Sequence, residues 1–222
     1  MRKLAVPVTD WNEILRYLTP RESKYCPEKP SIPQQVFLRT NAMEALFGGA
    51  AGGGKSSALL MAALQYIDVP NYSAMLFRRT LADLTLPGAL MDRFRDWTAP
   101  HDEVRFNQNT YTAVFPSGAR ITFGYLNNKD DYLRYKGVEA QFIGMDEVTE
   151  IRESDYRYLF SRLRRPASGP LSQVPLRMRC ASNPAPNWVR QRFLVEGSER
   201  GRIFVPSKLT DNPGVDADSY RR

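Results

Sequence analysis

The stretch EALFGGAAGGGKSSALL, residues 44–60, decides the fold class of this 222-residue chain. It places the pattern G-x-x-x-x-G-K-[ST] between a short apolar segment and a run of helix-forming residues. Consecutive backbone N–H groups can wrap a phosphate only where no side chain intrudes and some residues take positive φ, which glycine allows. The helix that follows offers its free N–H groups and its dipole to the same anion. The stretch therefore predicts a strand, a phosphate-binding loop and a helix.

The loop pattern also predicts what its residues do. We expect Lys55 to reach the β- and γ-phosphates of a nucleotide and the Ser56 hydroxyl to ligate Mg²⁺. A flexible glycine linker would not explain a lysine and a serine at the start of a helix. The predicted nucleotide contacts are Gly49, Ala50, Ala51, Gly52, Gly53, Gly54, Lys55, Ser56 and Ser57.

The rest of the chain alternates between strand and helix patterns. Strands are predicted at 44–47, 73–77, 140–147, 176–182 and 202–206, with a hairpin around PSG within 104–126. Helices are predicted at 55–67, at 81–97 with a break near Pro87, at 154–165 and at 187–197. This alternation predicts an α/β fold with a mostly parallel sheet covered on both faces. We expect an N-terminal arm at 1–33, the domain at 34–210 and the start of a linker at 211–222.

Composition and charge limit the function classes. The formal net charge of +7 and pI near 9.5 favour an anionic partner, nucleic acid first, although a basic surface can also serve solubility alone. Two cysteines and one histidine argue against a disulfide framework and a Cys/His zinc site. The longest apolar run, 58–64, is far shorter than a membrane span, so we expect a soluble protein.

Two acids follow the apolar segment FIGM. In a parallel sheet the carboxyl ends of the strands form the ligand crevice, so Asp146 is placed to hold Mg²⁺ opposite Ser56. Glu147 beside it can orient and deprotonate a water aimed at a γ-phosphate. The alternative is that the pair only begins a loop or caps the next helix. A water-activating base favours an ATPase over a kinase, which needs none.

Four segments together resemble a known family. GGAAGGGKS, FIGMDE, ASNPAP and LTDNPGVD occur in that order, and the chain from about residue 33 onward resembles the ATPase domain of the large terminase subunit of tailed bacteriophages. The resemblance implies a three-layer P-loop NTPase of the additional-strand, catalytic-glutamate type. It implies ATP and Mg²⁺ as cofactors, with Asp146 on the metal, Glu147 as the base, and Ser182 and Asn183 coupling hydrolysis to movement.

The resemblance implies two further roles whose residues stay open. A glutamine ahead of the loop reads adenine, and both Gln34 and Gln35 are candidates. A basic residue ahead of the catalytic glutamate acts on a neighbouring subunit's ATP. Arg134 is favoured over Lys136 because a guanidinium spreads over several phosphate oxygens.

The resemblance further implies partners and a location. These are double-stranded DNA bound without sequence preference, the portal, the small terminase subunit and other copies in a ring, pentameric in relatives. The expected location is the host cytoplasm, with transient docking on the procapsid. Large terminases continue into a nuclease domain, so a chain that ends at ADSYRR is expected to lack nuclease activity. Which basic cluster faces DNA stays open among Arg78 and Arg79, residues 161–165, and Arg190 and Arg192.

Two other functions remain as alternatives. One is a P-loop nucleotide kinase or similar transferase, and the other is a module that uses ATP only as an assembly switch. Glu147 counts against the kinase, as does the absence of an evident arginine-rich lid.

Overall fold

The central element is a sheet of eight strands in the order β3-β4-β5-β2-β6-β7-β1-β8. It is seen in a computed structural model that describes residues 20–49, 52–183 and 185–211. The strands are β1 (Glu44–Gly49), β2 (Ser73–Arg78), β3 (Arg105–Asn107), β4 (Thr112–Val114), β5 (Arg120–Tyr125), β6 (Phe142–Asp146), β7 (Arg177–Ser182) and β8 (Ile203–Ser207). Most of the predicted arm, Ala50, Ala51 and nearly all of the predicted linker lie outside the described residues.

Helices connect these strands. They are α1 (Ile32–Arg39), α2 (Lys55–Leu64), α3 (Leu81–Thr85), α4 (Leu90–Thr98), α5 (Glu153–Phe160) and α6 (Trp188–Arg190), and α6 continues as a π-helical turn over Gln191–Val195. Short 3₁₀ turns occupy Asp131–Tyr135, Val148–Glu150, Pro170–Gln173, Ser198–Arg200 and Leu209–Asp211.

Strand β7 is inserted between β1 and β6. It pairs in parallel with both, β1 also pairs in parallel with β8, and β2 lies parallel to β5 and β6. Only the β3–β4 and β4–β5 pairs of the described residues are antiparallel. The inserted strand confirms the predicted additional-strand class. Because β1, β6 and β7 run parallel, the loops that follow all three open at one edge of the sheet.

Alternating side chains divide the core into two layers. Ala45 and Phe47 face one side, where α2 packs, and every residue of α2 except Ser56 is buried. Leu46 faces the other side with Tyr156 and Leu159 of α5. The sheet is thus covered on both faces, as predicted, and its central strands are apolar throughout because neither side meets water.

The observed elements differ from the predicted ones in four places. Residues 104–126 form three strands, because a turn at 108–111 splits the first run. Helix α5 ends at Phe160, and Leu163 then bridges Ala140. Helix 187–197 is mostly π-helical, and α1, which crosses the predicted boundary at 33/34, was not predicted at all. The break near Pro87 is confirmed by separate α3 and α4. None of the helices in the described part of the chain is long and apolar enough to cross a membrane.

Candidate active site

The glycine loop runs from the end of β1 to the start of α2. Gly49 has φ of 149°, and a Cβ there would lie 1.8 Å from the Ser207 carbonyl oxygen of β8. Gly54 caps α2 in the left-handed region with φ of 74°. Both positions require glycine, one because of a neighbouring backbone and one because of its dihedral angles. The first turn of α2 thus begins directly at the loop, with Lys55 as its first residue.

Ser56 and Asp146 meet across the sheet edge. The Ser56 hydroxyl donates to Asp146 Oδ2 at 3.1 Å, whereas the buried Oδ1 atom of Asp146 has no hydrogen-bond partner. Burial raises the pKa of Asp146 to about 6, against the opposing effect of Arg78. A carboxylate oxygen left without a donor beside a hydroxyl suits a hard divalent cation such as Mg²⁺, which takes oxygen ligands and keeps several waters. Within residues 20–49, 52–183 and 185–211, no cluster of three or more His, Cys, Asp or Glu side chains could hold a metal.

Glu147 follows Asp146 in a strained conformation. Its φ of 48° and ψ of 51° lie in the left-handed region, which a non-glycine residue seldom adopts and which occurs often at functional sites. Its Oε2 accepts a hydrogen bond from the Ser182 hydroxyl at 3.0 Å, and Ser182 lies 2.5 Å from Thr149 Oγ1. The turn therefore directs the carboxylate of Glu147 towards the end of β7.

Lys55 and Asn183 form the second link between the loop and β7. The Lys55 ammonium donates to Asn183 Oδ1 at 2.7 Å. Burial lowers the pKa of Lys55, while Glu147 and Asp146 act to raise it. The two residues expected to couple hydrolysis, Ser182 and Asn183, thus contact the predicted base and the predicted phosphate-binding lysine.

Arg78 is a site residue that the sequence offers only as one of several open candidates for a DNA contact. Its Nε lies 3.3 Å from Asp146 Oδ2 and its Nη2 lies 3.9 Å from Glu147 Oε1. β2 pairs with β6, so the last residue of β2 ends beside the acids. The sequence signal, an arginine at the end of a buried strand, does not reveal which strand is the neighbour. Its neighbour Arg79 is exposed.

Comparison with known proteins agrees with this geometry. The profile of the phage terminase large subunit family matches residues 42–220. The chain belongs to that family. No curated protein matches it.

Solved terminase structures share the fold of this terminase chain. The large terminase of a thermophilic bacteriophage superposes with a TM-score of 0.67 at 13% identity, over 88% of this chain and 50% of that one. The HK97 bacteriophage large terminase gives a TM-score of 0.62 at 10% identity, over 87% and 43%. The ATPase domain of the Thermus phage P74-26 large terminase gives 0.55 at 13% identity, over 82% of both chains. The chain thus spans about half the length of the full-length terminases it matches.

The two glutamines of this terminase occupy different surroundings. Gln34 is buried, donates to the Gly54 carbonyl at 2.9 Å and accepts from the Ser31 N–H at 2.8 Å. Gln35 donates to the Pro30 carbonyl at 3.1 Å and accepts from Arg39 at 2.7 Å. Gln34 is therefore the one that touches the glycine loop.

Among the described residues, neither Arg134 nor Lys136 forms an ion pair with Asp146 or Glu147. Arg134 is half-exposed, pairs with Asp131 at 3.1 Å and stacks over the Tyr125 ring. Lys136 is exposed. The other predicted basic clusters also differ in their surroundings. Arg192 is held by Glu44 at 2.7 Å, and Arg165 donates to the Val174 carbonyl.

Proposed function

We propose that this chain hydrolyses ATP to move double-stranded viral DNA into a procapsid. The observation that carries the proposal is the meeting of Ser56, Asp146 and Glu147 at the mouth of the glycine loop, with Glu147 directed by Ser182. A phosphate cradle, a magnesium ligand pair and a carboxylate base are the parts that hydrolysis of a nucleoside triphosphate requires. Membership in the phage terminase large subunit family supports the same conclusion. A large terminase of a thermophilic bacteriophage has been solved with ATP-γ-S, at 15% identity to this chain.

Each residue of the site has a defined part in hydrolysis. Backbone N–H groups of the loop and of the first turn of α2 cradle the phosphates, and Lys55 donates to them. Ser56 and Asp146 would hold Mg²⁺, which neutralises charge that develops on the phosphates. Glu147 accepts a proton from the attacking water. Arg78 lies beside both acids, 3.3 Å from Asp146 and 3.9 Å from Glu147.

Coupling follows from the contacts of β7. Lys55 donates to Asn183, so phosphates that attract Lys55 compete directly with that bond. Ser182 donates to Glu147, so a change in the position of Glu147 would alter the hydrogen bond of Ser182 at the end of β7. We assign Ser182 and Asn183 the task of relaying the state of the nucleotide to the segment after β7.

Two further assignments rest on position. Gln34 is proposed as the adenine-reading residue, because it is bonded to the glycine loop through the Gly54 carbonyl, whereas Gln35 is bonded to Pro30 and Arg39. Arg134 is proposed to act on the ATP of a neighbouring subunit, because it is half-exposed and its ion pair is with Asp131 rather than with Asp146 or Glu147.

The proposed setting is the phage packaging motor. The proposed partners are DNA, the portal, the small terminase subunit and further copies of this chain. These copies are proposed to form a ring of five subunits. The motor would act in the host cytoplasm, on the procapsid. The domain proposed for this activity is residues 34–210, extended at its start to Ile32 because α1 spans Ile32–Arg39.

Phosphate release tests the proposal against its alternatives. The chain with ATP and Mg²⁺ should release phosphate without any acceptor, and strict dependence on an acceptor would make it a transferase. Glu147→Gln should abolish turnover while ATP binding, measured by calorimetry, persists. Turnover that survives this change would refute the role of Glu147, and an unmodified chain that binds ATP without turnover would be an assembly switch.

A further inference from the structure

Four arginines surround a pocket near the start of β1, whereas the glycine loop follows the end of that strand. The pocket has a volume of about 320 Å³ and is lined by Arg157, Phe160, Arg192, Glu196, Arg200 and Arg202. It adjoins Glu44, the first residue of β1, whereas the glycine loop follows the last residue of β1. It is thus separate from the catalytic site by the length of a strand.

The arginines of this pocket are only partly neutralised. Glu44 accepts from Arg192 at 2.7 Å and from Arg202 at 3.0 Å, so one buried carboxylate holds two guanidinium groups. Glu153 pairs with Arg157, and Glu196 lies 3.7 Å from Arg202. Three carboxylates therefore face four cations. Among the described residues, no carboxylate pairs with Arg200, which is exposed.

We propose that this arginine pocket binds a backbone phosphate of double-stranded DNA. A guanidinium group donates two parallel hydrogen bonds to a phosphate, and one phosphodiester carries the single negative charge that the pocket lacks. Arg162, half-buried, and Arg164, exposed, follow Phe160 closely in the chain and extend the positive surface beyond one phosphate. A DNA duplex presents a charge about every 1.7 Å along its axis, so such an extended surface suits it. The inference rests on the proposed function for the identity of the anion.

Hydrogen bonds connect the segment that carries part of the pocket to the turn that follows Glu147. Asn187 Nδ2 donates to the Thr149 carbonyl, and Trp188 Nε1 donates to the Ile151 carbonyl, each at 2.9 Å. These residues begin the segment whose π-helical turn carries Arg192, and π-helical turns are frequent at functional sites.

Tyr156 contacts both Trp188 and Glu44, which adjoins the pocket. Its ring lies 5.0 Å from that of Trp188, and its hydroxyl donates to Glu44 at 2.6 Å. A phosphate that displaces Arg192 or Arg202 from Glu44 would therefore disturb groups that touch the loop carrying Glu147.

The test is DNA binding by a double variant, Arg157→Gln with Arg200→Gln, whose side chains are exposed. Its matched control is Arg95→Gln with Arg105→Gln, which removes the same charge from exposed positions on α4 and β3. Binding of labelled duplex DNA of mixed sequence is followed by fluorescence anisotropy across a salt series. We expect the pocket variant to bind several-fold more weakly. The slope of log K against log salt should fall by about 1, because the pocket no longer neutralises the one phosphate that it binds. The control should show smaller changes on both measures.

The outcomes separate this inference from the proposed function. Equal binding by both double variants would overturn the pocket assignment and leave the ATPase proposal intact. An unmodified chain that hydrolyses ATP and binds no DNA overturns the pocket assignment together with DNA translocation. A chain that binds DNA through the pocket but releases no phosphate supports the inference and contradicts the ATPase. If the pocket variant loses binding to polyglutamate but not to DNA, the pocket serves an acidic protein segment and the inference is wrong.

Discussion

Arg78 illustrates how one charge supports two acids at the catalytic centre. It lies 3.3 Å from Asp146 and 3.9 Å from Glu147, and its side chain is only 21% exposed. Arg78 acts to lower the pKa of Asp146, whereas Glu147 acts to raise it. Its position at the end of β2 also allows it to donate to the Asp83 carbonyl, which restrains its side chain.

Replacing Arg78 should therefore impair turnover more than nucleotide binding. We expect Arg78→Gln to lower kcat about tenfold or more with a small change in KM, because Asp146 and Glu147 lose one of the cations beside them. Steady-state phosphate release measures both constants. Arg79→Gln is the matched control, since Arg79 is the exposed neighbour. An equal loss in the control would contradict the assignment.

Asp146 makes the stability of the chain depend on pH. Burial raises its pKa to about 6 from an ordinary value of 3.8, so the folded chain binds this proton more tightly than the unfolded chain. The resulting stabilisation is present below about pH 4 and is lost as the pH rises through 6.

Asp146→Asn should remove this dependence. The variant should be more stable than the unmodified chain at pH 8, by up to about 3 kcal/mol, because a shift of one pKa unit corresponds to about 1.4 kcal/mol. The difference should shrink towards pH 4. Urea denaturation with EDTA and without nucleotide measures it, and a pH-independent difference would refute the cause.

At the scale of elements, strand β7 anchors helix α1. Arg179 is fully buried and donates to the carbonyls of Thr40, Ala42, Met43 and Met178 at 3.0–3.3 Å. Burial lowers the pKa of Arg179 to about 9. Arg177 donates to the Leu38 carbonyl and to Gln65. The two arginines thus hold the C-terminal end of the helix whose Gln34 touches the glycine loop.

Arg179→Met should lower the free energy of unfolding by about 3 kcal/mol. The apolar side chain leaves carbonyl groups buried without donors, and each such group costs about 1–3 kcal/mol unless the segment rearranges. Chemical denaturation measures the change. Arg162→Met serves as the control, because the guanidinium of Arg162 bonds its neighbour Ser161 at the surface rather than buried carbonyls. A loss no larger than that of the control would show that the carbonyls find other donors.

At the scale of the whole molecule, the proposed ring determines whether the site is complete. Arg134 pairs with Asp131 of its own chain, and among the described residues it forms no ion pair with Asp146 or Glu147. A trans-acting arginine is supplied by one subunit and used by another. Activity of this chain should therefore rise with its concentration.

Mixing two inactive variants tests this arrangement. Arg134→Ala and Glu147→Gln should each be nearly inactive alone, and their mixture should regain phosphate release. The first variant retains Glu147, and the second donates Arg134 to it. The same mixing experiment is repeated with the Lys136→Ala variant in place of the Arg134→Ala variant. The variant that is inactive alone and regains activity in the mixture identifies the trans-acting residue. A mixture as inactive as its components would place Arg134 outside the trans role.

Local sequence patterns determined much of this protein. The glycine loop, the helix after it and the two acids after FIGM depend on short-range requirements, namely positive φ, free N–H groups and an apolar strand that ends in charge. The fold class and the family were therefore predictable. The places of Ser56, Asp146, Ser182 and Asn183 at one edge followed from the parallel sheet.

Only the tertiary structure decided which partner each arginine takes. Arg78 became a neighbour of the catalytic acids because β2 lies next to β6, and Arg192 became part of a buried ion pair because the segment after β7 returns to the start of β1. The proposed preference for Gln34 over Gln35 rests on contacts made by α1, a helix whose C-terminal end is held by buried arginines of a strand about 140 residues later. Charge and spacing along a chain do not specify contacts between distant segments, because these depend on strand order and packing.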